Sequence, residues 1–571
     1  MADFDLVVRG GTLIDGTGTP GRAADVAVKD GLIADVGRIE GRGVREIDAD
    51  GALVLPGFVD IHTHYDGQAM WDSSLTPSAW HGVTTVVMGN CGVGFAPVRP
   101  DDHERLIELM EGVEEIPGTA LHEGLDWSWD SFPAYLDALD RRSRDVDIAT
   151  QVPHGPLRLH VMGERGANRE VATPEDIAAM AELAAAGVRA GALGFTTSRT
   201  VNHKSSRGEL TPSLTAAEEE LVGIASALGA LGAGVLQVIS DFDDPQAEFA
   251  ILRSMAAASG RPLSVSLMQS HLSPDTWRAT LARIAGANAE GLEMRAQVGA
   301  RGIGVVLGLS CRLTPFLACP SFAPLRNVDP AEASRRMADP ELRRRVLAEA
   351  AALPPGLLIR YEAMFELADP PDYEPEPTTS IAARATRQGR PPAELAWDLL
   401  MADEGRALLY APVMNYAAGN LDAVGEMLAH PNTVPGLSDG GAHVGTISDA
   451  SFPTTLLAHW GRDRTRGRLD LPLLVARQCR ATAEAVCLYD RGIVASGYRA
   501  DLNVVDPATV RVRRPEVVAD LPAGGHRLLQ RADGYLHTLV AGTETYRAGS
   551  PTGAHPGRLI RGAQPQPSPR P

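Results

Sequence analysis

Short apolar runs recur through the middle of the chain: FVDIHTH (58–64), GVTTVVMGNCG (82–92), VDIATQVPHG (146–155), GALGFTTS (191–198), GAGVLQVIS (232–240), PLSVSLMQ (262–269) and GIGVVLGLS (302–310). Helical stretches such as PEDIAAMAELAAAGVRAG (174–191) separate them. Continuous apolar strands alternating with helices predict a parallel sheet, and this many units predict closure into an α/β, TIM-type (β/α)8 barrel. Residues at the strand ends are then the active-site candidates.

The two chain ends follow a different rhythm. DLVVRGGTLIDG (5–16), ADVAVKDGLIADVG (24–37) and REIDADGALVLPG (45–57) alternate with period two and break at Gly and Asp turns, as do GIVASGYRADLNVVDPATV (492–510) and HTLVAGTETYRAG (537–549). Hairpins at both ends predict one small β-sandwich domain built from residues 1–56 and 490–560, beside a barrel over 57–489. The stretch 313–435 is too long for one connection, and its Pro-rich ADPPDYEPEPTTS and helical ADPELRRRVLAEAAAL predict an insertion over the barrel mouth. The polar, proline-rich residues 562–571 predict a disordered tail.

Composition narrows the partners. With 571 residues, 44% of them hydrophobic and 22% charged, the chain has ample core for an ordinary globular protein. A net charge of -19 argues against nucleic acid, whose binding needs many Lys and Arg on phosphates, and leaves homo-oligomerisation open. The start MADFDLVVRGG has no basic segment leading into an apolar one, and no run of about 18 apolar residues follows, so no membrane partner and a cytoplasmic location are expected. Cys91, Cys311, Cys319, Cys479 and Cys487 form no framework pattern, so reduced thiols are expected. The only lysines are Lys29 and Lys204, and Lys204 falls in a loop-like segment, where a solvated surface charge is the ordinary reading.

His62 and His64 sit two apart at the end of an apolar strand, so strand alternation points both imidazoles to the same side. That arrangement suits one divalent metal, although a pair of histidines on one strand face also occurs as packed or solvated side chains. Asp439 lies in SDGG, a tetrapeptide that by itself reads as a turn.

In combination these segments resemble the amidohydrolase superfamily of metal-dependent barrel hydrolases. GFVDIHTH is similar to its first-strand motif, and TVPGLSDGGAHV to its eighth-strand motif, which places Asp439 at the catalytic aspartate. GVTTVVMGNCGVGFAP resembles the second-strand region of the N-acyl-D-amino acid deacylase branch, in which a cysteine takes the place of the bridging lysine; Cys91 stands there. The resemblance implies a zinc site of His62, His64, Cys91 and Asp439, with Asp439 as general base and then general acid. The branch also supplies histidines ending the fifth and sixth strands, and both are missing here. The fifth reads GVLQVISDFDD, and in SVSLMQSHLSP Gln269 stands where a histidine is expected, with His271 two residues on. One metal per chain is therefore expected.

For the substrate, Arg199 and His203 in SRTVNH, Arg158 in QVPHGPLR and His271 are the candidate binding residues, with His154 and Arg158 serving either to orient substrate or to brace the barrel. The implied reaction is hydrolysis of an amide C–N bond in a small N-acylated amino acid of D configuration. Cyclic amide or imide hydrolysis, as in hydantoinase-like relatives, and an inactive scaffold that kept the barrel are the alternatives.

Overall fold

The computed structural model describes residues 2–326, 328–354 and 360–568. Strand Phe4–Leu13 pairs antiparallel with Arg22–Lys29, which pairs with Leu32–Gly37, while Gly43–Asp48 and Leu53–Pro56 run parallel to the first strand. Leu53–Pro56 then accepts Leu502–Val505 on its other edge, antiparallel, with Val504 opposite Val54. Tyr535–Val540, Thr543–Arg547 and Ser550–Pro551 continue outward, giving one nine-stranded sheet from both ends of the chain. Period-two alternation puts Leu6, Val8, Val26, Val28, Val54, Leu502 and Val504 into one buried cluster.

Two purely parallel sheets follow. The first holds Phe58–Asp60, Val83–Met88 and Asp147–Thr150. The second holds Val152–Pro153, Gly194–Arg199, Val235–Ser240, Leu263–Ser266, Met294–Val298 and Thr433–Pro435 in that order. Only Gln151 separates Thr150 of the first sheet from Val152 of the second. On the opposite side a parallel bridge joins Thr63 to Gly440, reinforced by Asp439 N–H to His62 O (3.1 Å) and His64 N–H to Gly440 O (2.8 Å). Because the strands are parallel, their carboxyl ends gather on one face.

One strand differs from the sequence expectation. GIGVVLGLS forms Ile303–Gly308, which pairs antiparallel with Leu408–Met414 outside the parallel sheets, and the neighbouring position is taken by Met294–Val298 (MRAQV). Arg295 and Gln297 break the apolar signature of MRAQV. Ile303–Gly308 reads as a core strand because Leu307 and Val305 pack into a separate apolar cluster with Phe316, Phe322 and Trp397, and Val306 into another with Tyr373 and Tyr410. The expected disordered tail is also corrected in part: Gln564 N–H donates to Cys487 O and Gln564 O accepts from Tyr489 N–H, both at 2.9 Å, while 569–571 lie outside the described residues. All five cysteines are free thiols, and no helix among the described residues is long and apolar enough to cross a membrane.

The end of the parallel strands away from the carboxyl face carries a buried ionic knot. Asp147, fully buried at the start of its strand, accepts from Arg491 Nη1 (2.8 Å), Arg499 Nη2 (2.9 Å) and the Arg558 backbone N–H (2.9 Å). Asp501, also buried, faces both arginines at 3.4 and 3.8 Å. The knot ties the parallel strands to segments more than 340 residues away in sequence. Removing one member strands the others' charges in a low-dielectric setting, so Asp147→Ala is expected to cost about 3–5 kcal/mol. Chemical denaturation checks this; a loss below about 1 kcal/mol would mean that the arginines find other partners.

Candidate metal centre

Residues 61–64 continue beyond the first parallel strand, held extended by Thr63 N–H to Val87 O (3.1 Å) and by the bridge to Gly440. His62 and His64 are both buried at the carboxyl end, their rings 5.6 Å apart at 65°. Cys91 arrives from the second strand through a tight turn in which Gly89, Cys91 and Gly92 all take positive φ (76°, 56° and 66°). The glycines are required there: a Cβ on Gly89 would stand 2.3 Å from Gln151 O, and one on Gly92 2.9 Å from Ser198 N. Asp439 follows the eighth strand, itself at φ 49°, with Leu437 at 58° and His443 at 47°. Left-handed non-glycine residues cost roughly 1–3 kcal/mol each and gather where a surrounding structure holds them for a purpose.

His62, His64 and Cys91 bring their ligand atoms together, and Asp439 stands beside the two rings. His62 Nε2 lies 3.2 Å from Cys91 Sγ and 3.4 Å from Asp439 Oδ1, and His64 Nε2 lies 3.8 Å from the same oxygen. One ligand atom from each of His62, His64 and Cys91 falls within 4.8 Å of the others. Tetrahedral zinc with bonds of about 2.0–2.3 Å needs ligand separations of ~3.3–3.8 Å, so the observed edges fit such an ion.

The outer atoms of the two rings fit as well. His62 Nδ1 sits 2.6 Å from Gln297 Oε1, and Gln297 Nε2 donates to Ser264 Oγ (2.9 Å), which fixes the amide orientation. His62 therefore donates from Nδ1 and keeps its lone pair on Nε2, toward the centre. His64 Nδ1 faces Glu114 Oε1 at 3.2 Å without a well-directed hydrogen bond, and both are buried atoms lacking any other partner. A carboxylate or amide behind each histidine is the outer support that metal-ligating imidazoles carry.

Electrostatics points the same way. Burial, then the nearby His62, His443 and His203, drive His64 well below the usual imidazole range, leaving it neutral and able to ligate. Burial and the charges of Glu114 and Asp439 push the Cys91 thiol well above its ordinary value, and burial lifts Glu114 to about 8. Those shifts describe the protein without a cation, and a divalent charge at the centre of these groups reverses them.

The remaining predicted residues divide. His203, bonded through Nδ1 to Ser198 Oγ (2.9 Å), is driven to about 3 by burial, then by the charges of His443 and His62. Arg199 is not free for substrate: it grips Glu248 through Nε (2.8 Å) and Nη2 (2.7 Å) and donates to Ala216 O. Nor is Arg158, which is buried and donates to Glu220, a carboxylate that also receives His154 Nε2 at 2.8 Å. Both arginines brace the strands instead, since a buried guanidinium needs its charge met locally. His271 turns its Nδ1 to Val413 O (3.3 Å), and Gln269 is spent on Asn415, Ala417 and Pro274.

Glu114, Gln237, Gln297 and His443 were not singled out from the sequence. Gln237, in the fifth strand, accepts from the Cys91 N–H at 3.0 Å, and His443 lies 3.7 Å from Glu114 and 3.8 Å from Glu115. The glutamines did leave a signal: QVIS and MRAQV each set a fully buried glutamine inside a strand, where a hydrogen-bonding role is obligatory.

Residues 45–546 match the model of an amidohydrolase family. The chain is 28% identical to a D-aminoacylase of Alcaligenes xylosoxydans xylosoxydans over 98% of this chain and 97% of that one. It is 28% identical to an N-acyl-D-aspartate deacylase of the same organism over 89% and 87%. A solved D-aminoacylase structure, from a study of its binuclear metal centre describing one-metal activation and second-metal attenuation, matches with a TM-score of 0.66 at 27% identity, covering 98% of this chain and all of that one. With the motifs, the strand order and these matches in agreement, the chain belongs to the amidohydrolase family, in its D-aminoacylase-like branch.

Proposed function

We propose that the two parallel sheets form one (β/α)8 barrel whose carboxyl face holds a single divalent metal, zinc by ligand type, and hydrolyses the amide bond of N-acyl-D-amino acids. The observation that carries this reading is the buried cluster of His62, His64 and Cys91, with Asp439 Oδ1 3.4 Å from His62 Nε2 and 3.8 Å from His64 Nε2. The named activities of the relatives supply the substrate class.

Zinc in such a set supplies Lewis-acid polarisation of a carbonyl and acidifies water. The protein's own groups do the rest. Asp439, 17% exposed and fixed by its N–H to His62 O, accepts the proton of the attacking water and returns it to the departing nitrogen as the C–N bond breaks. The products are the free amino acid and the carboxylate of the acyl group. Gln297 holds the His62 imidazole in the ligating tautomer, and Glu114 stands 3.2 Å behind His64 Nδ1.

The single-metal reading rests on what the fifth, sixth and seventh strands offer: Gln237, Ser264, Ser266 and Gln297. Each is tied into hydrogen bonds among these residues, His62 and the Cys91 N–H. Amides and hydroxyls so engaged make a poor second zinc site beside thiolate and imidazole.

Elemental analysis of purified protein is expected to give close to one zinc per chain, lost in His62→Ala together with N-acyl-D-amino acid hydrolysis; two tightly held zinc ions would overturn the single-metal reading. Gln297→Ala is expected to weaken zinc binding about 10–100-fold in chelator competition, with the fold unchanged by circular dichroism. Asp439→Asn is expected to lower kcat by at least about 10²-fold even when zinc-loaded. Hydrolysis surviving in a zinc-loaded Asp439→Asn protein would remove Asp439 from proton transfer.

A further inference from the structure

In the proposed function Asp439 carries the proton, and the present inference rests on that role: the reaction depends on where one carboxylate stands. The backbone that bears it is strained. Leu437 (φ 58°) and Asp439 (φ 49°) are both left-handed without being glycine, and Ser438 sits between them. Each such residue costs roughly 1–3 kcal/mol and keeps its conformation only where its surroundings over-determine it.

Asp60 ends the first parallel strand, is 3% exposed, and among the described residues makes no ion pair. Asp147, Glu220 and Asp449 are buried as well, but each meets an arginine: Arg491, Arg158 and Arg301 respectively. A buried carboxylate without a cation is costly unless hydrogen bonds satisfy it. Asp60 has two: Oδ1 accepts from the His62 N–H (3.3 Å) and Oδ2 from the Ser438 hydroxyl (2.5 Å). The hydroxyl has one proton to give, so His62 O, 3.1 Å from Ser438 Oγ, is left to the Asp439 N–H, also at 3.1 Å. The three bonds close a circuit from Asp60 to the backbone of His62, on to the backbone of Asp439 and back through Ser438.

Joining the two strands does not require that circuit, because the Thr63–Gly440 bridge and the bond from His64 N–H to Gly440 O already do so. What the circuit adds is a fixed relation between a histidine of the metal centre and the proton-carrying residue. The geometry points to Asp60 and Ser438 as a positioning pair that sets Asp439 against His62. Both side chains are buried and act through the backbone of residue 439, so their loss misplaces the carboxylate while His62, His64 and Cys91 keep their metal.

Zinc-loaded wild type, Ser438→Ala, Ser438→Thr, Asp60→Asn, the double variant Ser438→Ala/Asp60→Asn and Asp145→Asn are compared on N-acetyl-D-leucine for kcat, KM and the solvent deuterium isotope effect on kcat. Chelator competition gives zinc affinity, and hydrogen–deuterium exchange follows peptides spanning 437–443. Asp145 is the control, a buried carboxylate that likewise receives a hydroxyl (Tyr546, 2.6 Å) and an N–H (Leu75, 3.0 Å), just ahead of Asp147 at the far end of the strands. In Ser438→Ala and Asp60→Asn kcat is expected to fall about 10- to 100-fold, with KM and zinc affinity little changed, a larger isotope effect and faster exchange at 437–443. The double variant is expected to be no worse than Ser438→Ala, since each change opens the same circuit, and Ser438→Thr, which keeps the hydroxyl, to recover most of kcat. Asp145→Asn is expected to lose thermal stability and keep kcat.

An unchanged kcat in both single variants, a loss of zinc that accounts for the loss of kcat, or an equal kcat loss in Asp145→Asn overturns the assignment. If Ser438→Ala does not fold, Asp60→Asn, which keeps the side-chain shape, carries the same test. If wild type holds zinc but cleaves no N-acyl amino acid, the proposed reaction falls and exchange decides the pair alone: faster exchange confined to 437–443 keeps it, and unchanged exchange removes it.

Discussion

Five ionisable groups packed together, namely two imidazoles, a thiol and the carboxylates of Asp439 and Glu114, form the constraint on which the rest of the site depends. Without a cation they repel or neutralise one another: the thiol is pushed up, Glu114 rises to about 8, and His64 is kept neutral. A divalent ion turns each cost into attraction, because burial disfavours isolated charge far more than it disfavours charge that is matched. Metal loading should therefore tighten the loops that carry these groups as well as enable chemistry. The left-handed residues at Cys91, Asp439 and His443 are the backbone's share of that cost.

Much of this was legible in the chain. The H-x-H pair, the GNCG turn and SDGG are local, and each lies where a strand must end, so sequence spacing alone brings them to one face. The partners that orient them were harder to see. Gln297 and Gln237 act through contacts that span 235 and 146 residues respectively, and Glu114 follows a helix that gives no hint of which histidine it will meet. Arg158 and Arg199 were ambiguous for a related reason. An arginine at a strand end reads equally as a substrate fork or as a brace, and only the position of Glu220 and Glu248 on the following helices decides it.

The strand assignment failed at one place for an instructive reason. Apolar continuity reports burial on both faces, not membership of a particular sheet. Leu307 and Val305 find that burial in a separate apolar cluster, whereas Met294–Val298 turns Gln297 inward to His62 Nδ1. The inward glutamine thus removed the very pattern by which the strand would have been recognised.

The nine-stranded sheet at the chain ends has a consequence for biosynthesis. Leu53–Pro56 finds its neighbour Leu502–Val505 only after roughly 450 further residues have been made, an interval of ~20–90 s at ordinary elongation rates. Throughout that time an apolar strand edge stands open on the nascent chain, the kind of edge that pairs readily with other chains. Production of this enzyme in active form is thereby tied to how well the cell shields one short strand until residues 502–505 have emerged.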